Sequence, residues 1–340
     1  MGITIKEIAK LAGVSTSTVS LVLSEKGYVS DTTQRKVQKI IDEYNYRPSG
    51  AARQLASNQT GNIGFIISDV HLSRSEAFYT RILLGSELEA RNYDANIILS
   101  SVGQEYKLPR FLKEKNVDGI IIAGSVSDEL IPFLKEDGCP VVLIDFDVDG
   151  MALDKVAMDN RRGVQMAVEH LLEQKISKIG FVGGSYYHPS IRERFEGYQI
   201  AMDRGGNGDI AHNKKYRYLT EDETSTDIGE KGTAEILKAV PDLEAIICVN
   251  DTTAMGCLKY LLKHGIEIPA QMSVVGFDDV NFAAVAHPPL TSVHVPKVEM
   301  GMAGVKLLKE RIENPDRAFQ TRTLPVELVI RESSMSNKQN

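Results

Sequence analysis

Apolar residues recur at helical spacing over roughly the first 45 positions and then give way to short continuous runs. Ile5, Ile8, Ala9 and Ala12 fall on one helical face, and Thr4-Ile5-Lys6-Glu7 has the form of a capping box. Gly13 ends that helix. Ser15 can cap a second, Thr16 to Leu23, whose apolar positions are Val19, Val22 and Leu23. Ser30 caps a third, with Val37, Ile40, Ile41 and Tyr44 as its core stripe. Two short helices around a glycine-containing turn make a helix-turn-helix unit. Pro48 closes this region, and Ser49 opens a short helix containing Gly50 that is marginal without a partner. The pattern therefore predicts an all-α head over 1–48 and a hinge helix with linker over 49–60.

After Asn58-Gln59-Thr60-Gly61 the period changes. Apolar runs stand at Ile63 to Ile67, Ile97 to Leu99, Gly119 to Ala123, Val141 to Ile144, Ile179 to Val182, Ala245 to Val249 and Val274 to Phe277. Amphipathic stretches of helix length lie between them, such as Tyr79 to Arg91, Arg161 to Gln174, Ile191 to Arg204, Ile228 to Ala239 and Thr252 to His264. Such alternation predicts α/β structure, with doubly wound parallel sheets covered by helices on both faces. About ten strands are too many for one compact sheet, so two lobes are expected. The end of the chain, 333–340, reads as a frayed tail.

Charge sharpens the division. The net charge is −7, but residues 1–60 carry eight Lys and Arg against five Asp and Glu, a head of +3 on a body of −10. A basic head on an acidic body is expected when only the head touches phosphates. The first residues lack the basic-then-apolar order of a signal peptide, and no run is long and apolar enough to span a bilayer. Cys139, Cys248 and Cys257 form no metal or redox spacing and read as reduced, buried thiols of a cytoplasmic protein.

The second helix carries the first candidate chemistry. Ser15, Thr16, Ser17, Thr18 and Ser20 crowd its N-terminal end, where short hydroxyls allow close approach to phosphates and base edges of the major groove. In the body, ligands of doubly wound sheets bind beyond the carboxyl ends of strands. There stand Asp69, Asp145-Phe146, Asn250-Asp251 and Asp278-Asp279, suited to a polyhydroxylated ligand because each carboxylate can accept two hydroxyl protons. Asp251 and Asp279 can equally serve structure. A nucleotide site has no support: there is no G-x-G-x-x-G opening a helix and no Walker sequence. The seven histidines show no metal spacing, so no metal or cofactor is expected, and no nucleophile elbow or triad points to an enzyme.

Several stretches together resemble the lactose-repressor/galactose-repressor (LacI/GalR) family of transcription regulators. In the head they are Thr4 to Ala9, Ala12 to Ser15, Thr18 to Ser20, Tyr46-Arg47-Pro48 and Ala52-Arg53-Gln54-Leu55-Ala56. In the body they are Val117 to Ile121, Arg194-Phe195-Glu196-Gly197-Tyr198, Asn250 to Gly256, Ser273 to Asp279 and Pro289 to Val293. The resemblance implies DNA contacts from Thr4, Ser15, Thr16, Ser17, Thr18, Ser20, Leu21, Ser30, Thr33 and Tyr46. It implies further contacts from Ala52, Arg53, Leu55 and Ala56, with Leu55 as the minor-groove wedge. It implies a periplasmic-binding-protein-like body with one lobe over 61–158 plus 291–322 and the other over 159–290 plus 323–332. Arg194 and Asp278 become the leading effector contacts, followed by Asn250, Asp145, Phe146, Asp69, Phe78 and Tyr79.

Three departures matter. Leu21 stands where many members carry an arginine able to read guanine. Thr224 stands where many carry an aromatic residue that stacks on the ligand. Pro296 to Gly301 lacks the Tyr-Asp pair expected of a phosphocarrier-dependent catabolite regulator. The expectation is a homodimeric, effector-responsive regulator, most simply a repressor, on a near-palindromic operator. Its effector class is a sugar or sugar phosphate, with a purine corepressor as the alternative. A solute-binding protein would share the body but not the head.

Overall fold

The computed structural model describes residues 3–24, 28–46, 59–73, 78–103, 107–126, 130–131, 134, 138–148 and 150–335. The chain divides into two compact units, Met1–Gly61 and Asn62–Asn340.

The first unit holds helices α1 (Ile5–Ala12), α2 (Thr16–Ser24) and α3 (Asp31–Glu43). The Thr4-Glu7 capping box forms in both directions, and Gly13 ends α1 at φ 64°, a left-handed conformation that glycine adopts without steric cost. Ser15 caps α2 by accepting from the Thr18 amide at 3.0 Å, and Ser30 caps α3. Ile8, Ala9, Ala12, Val19, Val22, Val37 and Ile41 bury together as a small core. Tyr44, expected in that stripe, is instead exposed, because α3 ends at Glu43 and the chain turns at Asn45.

The second unit has two six-stranded sheets. Lobe 1 has β1 (Asn62–Ser68), β2 (Asn96–Val102), β3 (Gly119–Ala123), β4 (Val141–Ile144), β5 (Asp154–Met158) and β11 (Thr321–Leu324). Their order is β11-β5-β4-β3-β1-β2, all parallel. Lobe 2 has β6 (Ile179–Ser185), β7 (Arg217–Thr220), β8 (Ala245–Cys248), β9 (Ser273–Asp278), β10 (Thr291–His294) and β12 (Glu327–Val329). Their order is β12-β10-β9-β8-β6-β7, parallel except for β12 at one edge, antiparallel to β10. The central strands are buried on both faces, as continuous apolar runs require.

The longer helices of the body are α4 (Phe78–Ala90), α5 (Asn160–Glu173), α6 (Pro189–Arg204), α7 (Thr226–Ala239), α8 (Asp251–Lys263) and α9 (Lys297–Glu313). They cover the sheets in pairs. In the α4–α9 pair the backbones nearly touch: a Cβ added at Gly301 would lie 2.0 Å from the Ile82 carbonyl oxygen, and one at Gly85 would lie 2.0 Å from that of Val298.

The chain crosses between lobes near Asp159, at Val295-Pro296 and at Pro325-Val326. Two expected boundaries therefore move. Residues 291–294 belong to lobe 2, because β10 pairs with β9, and residues 323–324 stay in lobe 1, because β11 pairs with β5. The expected frayed tail does not begin at Ser333. Ser333 and Ser334 are fully buried, held by the Thr291 amide, the Val274 carbonyl and the Thr291 hydroxyl. Cys248 and Cys257 are buried and Cys139 is half-buried, and none of the three is in a disulfide. No described helix is long and apolar enough to cross a membrane.

Candidate functional site

Two surfaces carry candidate chemistry, one in each unit. On the head, buried Val19 and Val22 fix one face of α2 against the small core. The opposite face then presents Ser15, Thr16 and Ser17 as exposed hydroxyls, with Leu21 exposed beside them. Thr18 and Ser20 are half-buried, and the Thr18 hydroxyl lies 2.9 Å from that of Ser15. The result is a short polar surface at a helix N-terminus, where backbone dipoles favour phosphate oxygens. Thr4 spends its side chain on the α1 cap, and the Thr4 amide and hydroxyl hold the Glu7 carboxyl below its usual range. Ser30 and Thr33 share the α3 cap, and Tyr46 packs half-buried on the head core. Ala52, Arg53, Leu55 and Ala56 lie outside the described residues.

In the body, a cleft opens between the carboxyl ends of the two sheets. Asp145 follows β4 in a left-handed turn at φ 54°, which points a buried carboxylate into the cleft. It accepts from the Tyr79 hydroxyl at 2.9 Å within lobe 1, and from the Ser190 hydroxyl at 2.6 Å across the cleft. Ser190 lies in the first turn of α6, so one carboxylate ties the two lobes. One helical turn on, Arg194 enters the same space from α6, 5 % exposed.

Its guanidinium is held on every side. Nε donates to Asn160 Oδ1 at 2.8 Å, Nη1 to the Val249 carbonyl at 2.7 Å, and Nη2 lies 3.3 Å from Asp278 Oδ1. The plane rests over Phe277, 3.7 Å from the ring centroid. An arginine fixed this way cannot swing to meet solvent, so its remaining polarity is aimed at the cleft. Asn250 caps α8 through its oxygen and donates to the Thr224 hydroxyl at 3.1 Å through its amide.

Behind the cleft wall lies a buried carboxylate cage. Asp251 is fully buried; burial, and then the charge of Asp278, push its pKa well above the usual carboxylate range. It accepts from Ser292 Oγ at 2.5 Å and the Val280 amide at 2.9 Å. Asp279 takes Arg331 at 2.7 Å and His294 at 3.0 Å. Both serve the fold, in line with the structural option that the sequence left open for them.

The family models agree with this division. The model described as bacterial regulatory proteins, lacI family, matches residues 4–49, and a periplasmic binding protein-like domain matches residues 168–334. The PurR transcriptional repressor of Vibrio campbellii is 31% identical over 334 residues, covering 96% of this chain and 97% of its own. The chain belongs to the lacI family. This lacI-family regulator is also 30% identical over 339 residues to the ribose operon repressor of Haemophilus influenzae, covering 98% of this chain and 99% of that one. The structure of the transcriptional regulator CelR in complex with cellobiose superposes with a TM-score of 0.74 at 27% identity, covering 97% and 99% of the two chains. The regulator thus has a DNA-binding head and an effector-responsive body.

Within that body the cleft gathers Phe78, Tyr79, Asp145, Arg194, Asn250 and Asp278, six of the eight residues expected there. The other two lie elsewhere. Phe146 points the opposite way and packs half-buried on the far core of lobe 1, beside Val148, Met151 and Leu153. Asp69 is exposed at the start of a short helix, its carboxylate against the backbone of Gly103. The lining adds His71, His188, Ser190, Glu223 and Thr224. His71 packs against Tyr79 with the rings tilted by 35° and their centroids 4.5 Å apart. The strand-end rule that found Asp145 also reaches His71 and His188, each just beyond a strand. Neither histidine has the spacing of a metal-ligand set, so that signal does not mark them.

Proposed function

We propose that the regulator is a cytoplasmic homodimeric repressor whose cleft takes an uncharged sugar. One observation carries the ligand class: the lining holds three carboxylates, Asp145, Glu223 and Asp278, against one guanidinium, Arg194. Carboxylates accept protons from sugar hydroxyls and repel phosphate or carboxylate groups, so the balance favours a neutral ring over a sugar phosphate. Phe78 and Tyr79, edge to face at 4.9 Å, offer an apolar surface for the ring's C–H face. The cleft is partly open and its inner space of about 70 Å³ is small beside the roughly 300–1,000 Å³ of ordinary ligand sites, which fits lobes that part to admit a ring.

Effector binding then shifts one lobe against the other and alters operator affinity, by a coupling free energy of about 1–3 kcal/mol in typical systems. Leu84 and Leu88 on α4, with Leu99 on edge strand β2, leave 40–43% of their surface exposed on lobe 1 and support a dimer contact there.

Likeness to PurR repressors supports a second reading, a purine corepressor. Calorimetric titration with D-ribose, D-glucose, cellobiose, ribose 5-phosphate and hypoxanthine separates the two. Binding of a neutral sugar with no response to the phosphate or the purine is the expected outcome. Binding of hypoxanthine or ribose 5-phosphate alone overturns the neutral-sugar reading.

A further inference from the structure

Lys297 opens α9 immediately after the second crossing, and 9 % of it is exposed. Its helix belongs to lobe 1, packed on α4, yet its ammonium reaches into lobe 2. Nζ donates to the carbonyl oxygens of Asp278, of Val295 at 3.1 Å and of Asp279 at 3.4 Å. An ammonium has three N–H donors, and three carbonyls meet them. Among the described residues it forms no ion pair with a carboxylate. Burial lowers its pKa, while the charges of Asp278, Asp279 and Asp251 act against that shift.

The carbonyls it holds belong to an unusual turn. Asp278 and Asp279 have φ of 104° and 49°, two consecutive non-glycine residues on the left-handed side. Such residues cost free energy and persist only where the surroundings over-determine them. The surroundings here are a cage: Ser292 Oγ accepts the Asp279 amide at 3.0 Å, and Asp251 accepts the Val280 amide. Lys297 is the member of that cage rooted in the opposite lobe. It also lies 5.8 Å from the centroid of Phe78, a cleft residue of lobe 1.

The cage directs the Asp278 carboxylate at Arg194. We infer that Lys297 is a positioning residue for effector recognition, clamping the strained Asp278-Asp279 turn of lobe 2 from a lobe 1 helix and so tying the aim of Asp278 to the α4–α9 pair. This rests on the reading of the cleft as the effector site. Lys297 does not itself line the cleft; its hydrogen bonds carry its effect through the backbone of Asp278.

The test uses the full chain with Lys297→Met, which keeps the stem and removes the donors, and Lys297→Arg, which keeps a cation. Hydrogen–deuterium exchange at the Asp279 and Val280 amides is expected to quicken at least tenfold in Lys297→Met, with substantial recovery in Lys297→Arg and unchanged protection within α7 and α8. Affinity for whichever sugar of the neutral panel binds the unaltered chain is expected to fall at least tenfold. In Lys297→Met/Asp278→Asn the losses are expected not to add, as for residues acting through one group. Unchanged exchange at 279–280, or fully additive affinity losses, overturns the clamp. If no sugar binds the unaltered chain, the effector reading fails by itself, and exchange at 279–280 alone decides for or against the clamp.

Discussion

Asp278→Asn separates recognition from folding at the cleft. Asn has nearly the same volume and tolerates the left-handed side, so the turn at Asp278-Asp279 survives the change. Arg194 keeps its bonds to Asn160 and Val249 and its seat on Phe277. What is lost is the charge of an acceptor whose side chain is only 13% exposed. A hydrogen bond to a charged group contributes about 1.5–3 kcal/mol, against about 1 kcal/mol for a neutral partner. The expected loss of effector affinity is therefore about 1.5 kcal/mol, roughly tenfold in Kd. Neutralising Asp278 also removes the like charge that, after burial, holds the Asp251 pKa up, so part of any lost stability is returned. Calorimetry with the sugar that binds the unaltered chain, run beside a thermal melt, reads both quantities. An unchanged Kd in a folded variant refutes the assignment of Asp278 to the effector. A large fall in melting temperature with no specific loss of affinity assigns it to the fold instead.

Other outcomes follow from the same geometry. Leu21→Arg places a bidentate donor on the exposed face of α2, 39 % of whose leucine is accessible now. It is expected to add about 1–3 kcal/mol of preference for guanine at one operator position and to steepen the salt dependence, read by competition binding. Gly301→Ala forces a methyl against the Ile82 carbonyl in the α4–α9 pair and is expected to cost about 1–3 kcal/mol in a denaturant titration. Burial holds the His170 pKa below 6.5, beside Ser334 and Gln174. The unfolded chain therefore takes up that proton first, so this contribution to stability is present above pH 6.5 and lost as pH falls below it. His170→Gln is expected to flatten the fall in melting temperature between about pH 7.5 and pH 5.5.

The legible part of the fold was the part where burial is two-sided. β3, β4 and β8 read as continuous apolar runs because both of their faces are covered. β7, β11 and β12 are part-exposed edge strands, and their mixed Arg217-Tyr218-Leu219-Thr220 and Thr321-Arg322-Thr323-Leu324 sequences carry no such run. The lobe boundary at β10 is illegible for a related reason: which sheet β10 joins is set by its pairing with β9, a long-range choice with no local signal. At the cleft, strand-end position located Asp145 and Asp278. Position alone could not distinguish Asp145 from Phe146, its neighbour, which the left-handed turn directs to the opposite side. Ser190 and Lys297 were illegible because each acts across the lobes, on partners 45 and 19 residues away.

The most direct test of the account is DNA binding by the full chain to its own promoter region, titrated in salt with and without the neutral sugars. Specific, steeply salt-dependent binding that one neutral sugar strengthens or weakens is expected, with Asp278→Asn binding the same DNA but responding to the sugar only at roughly tenfold higher concentration. Specific DNA binding that no small molecule alters, or the same response in Asp278→Asn at the unaltered sugar concentration, contradicts it.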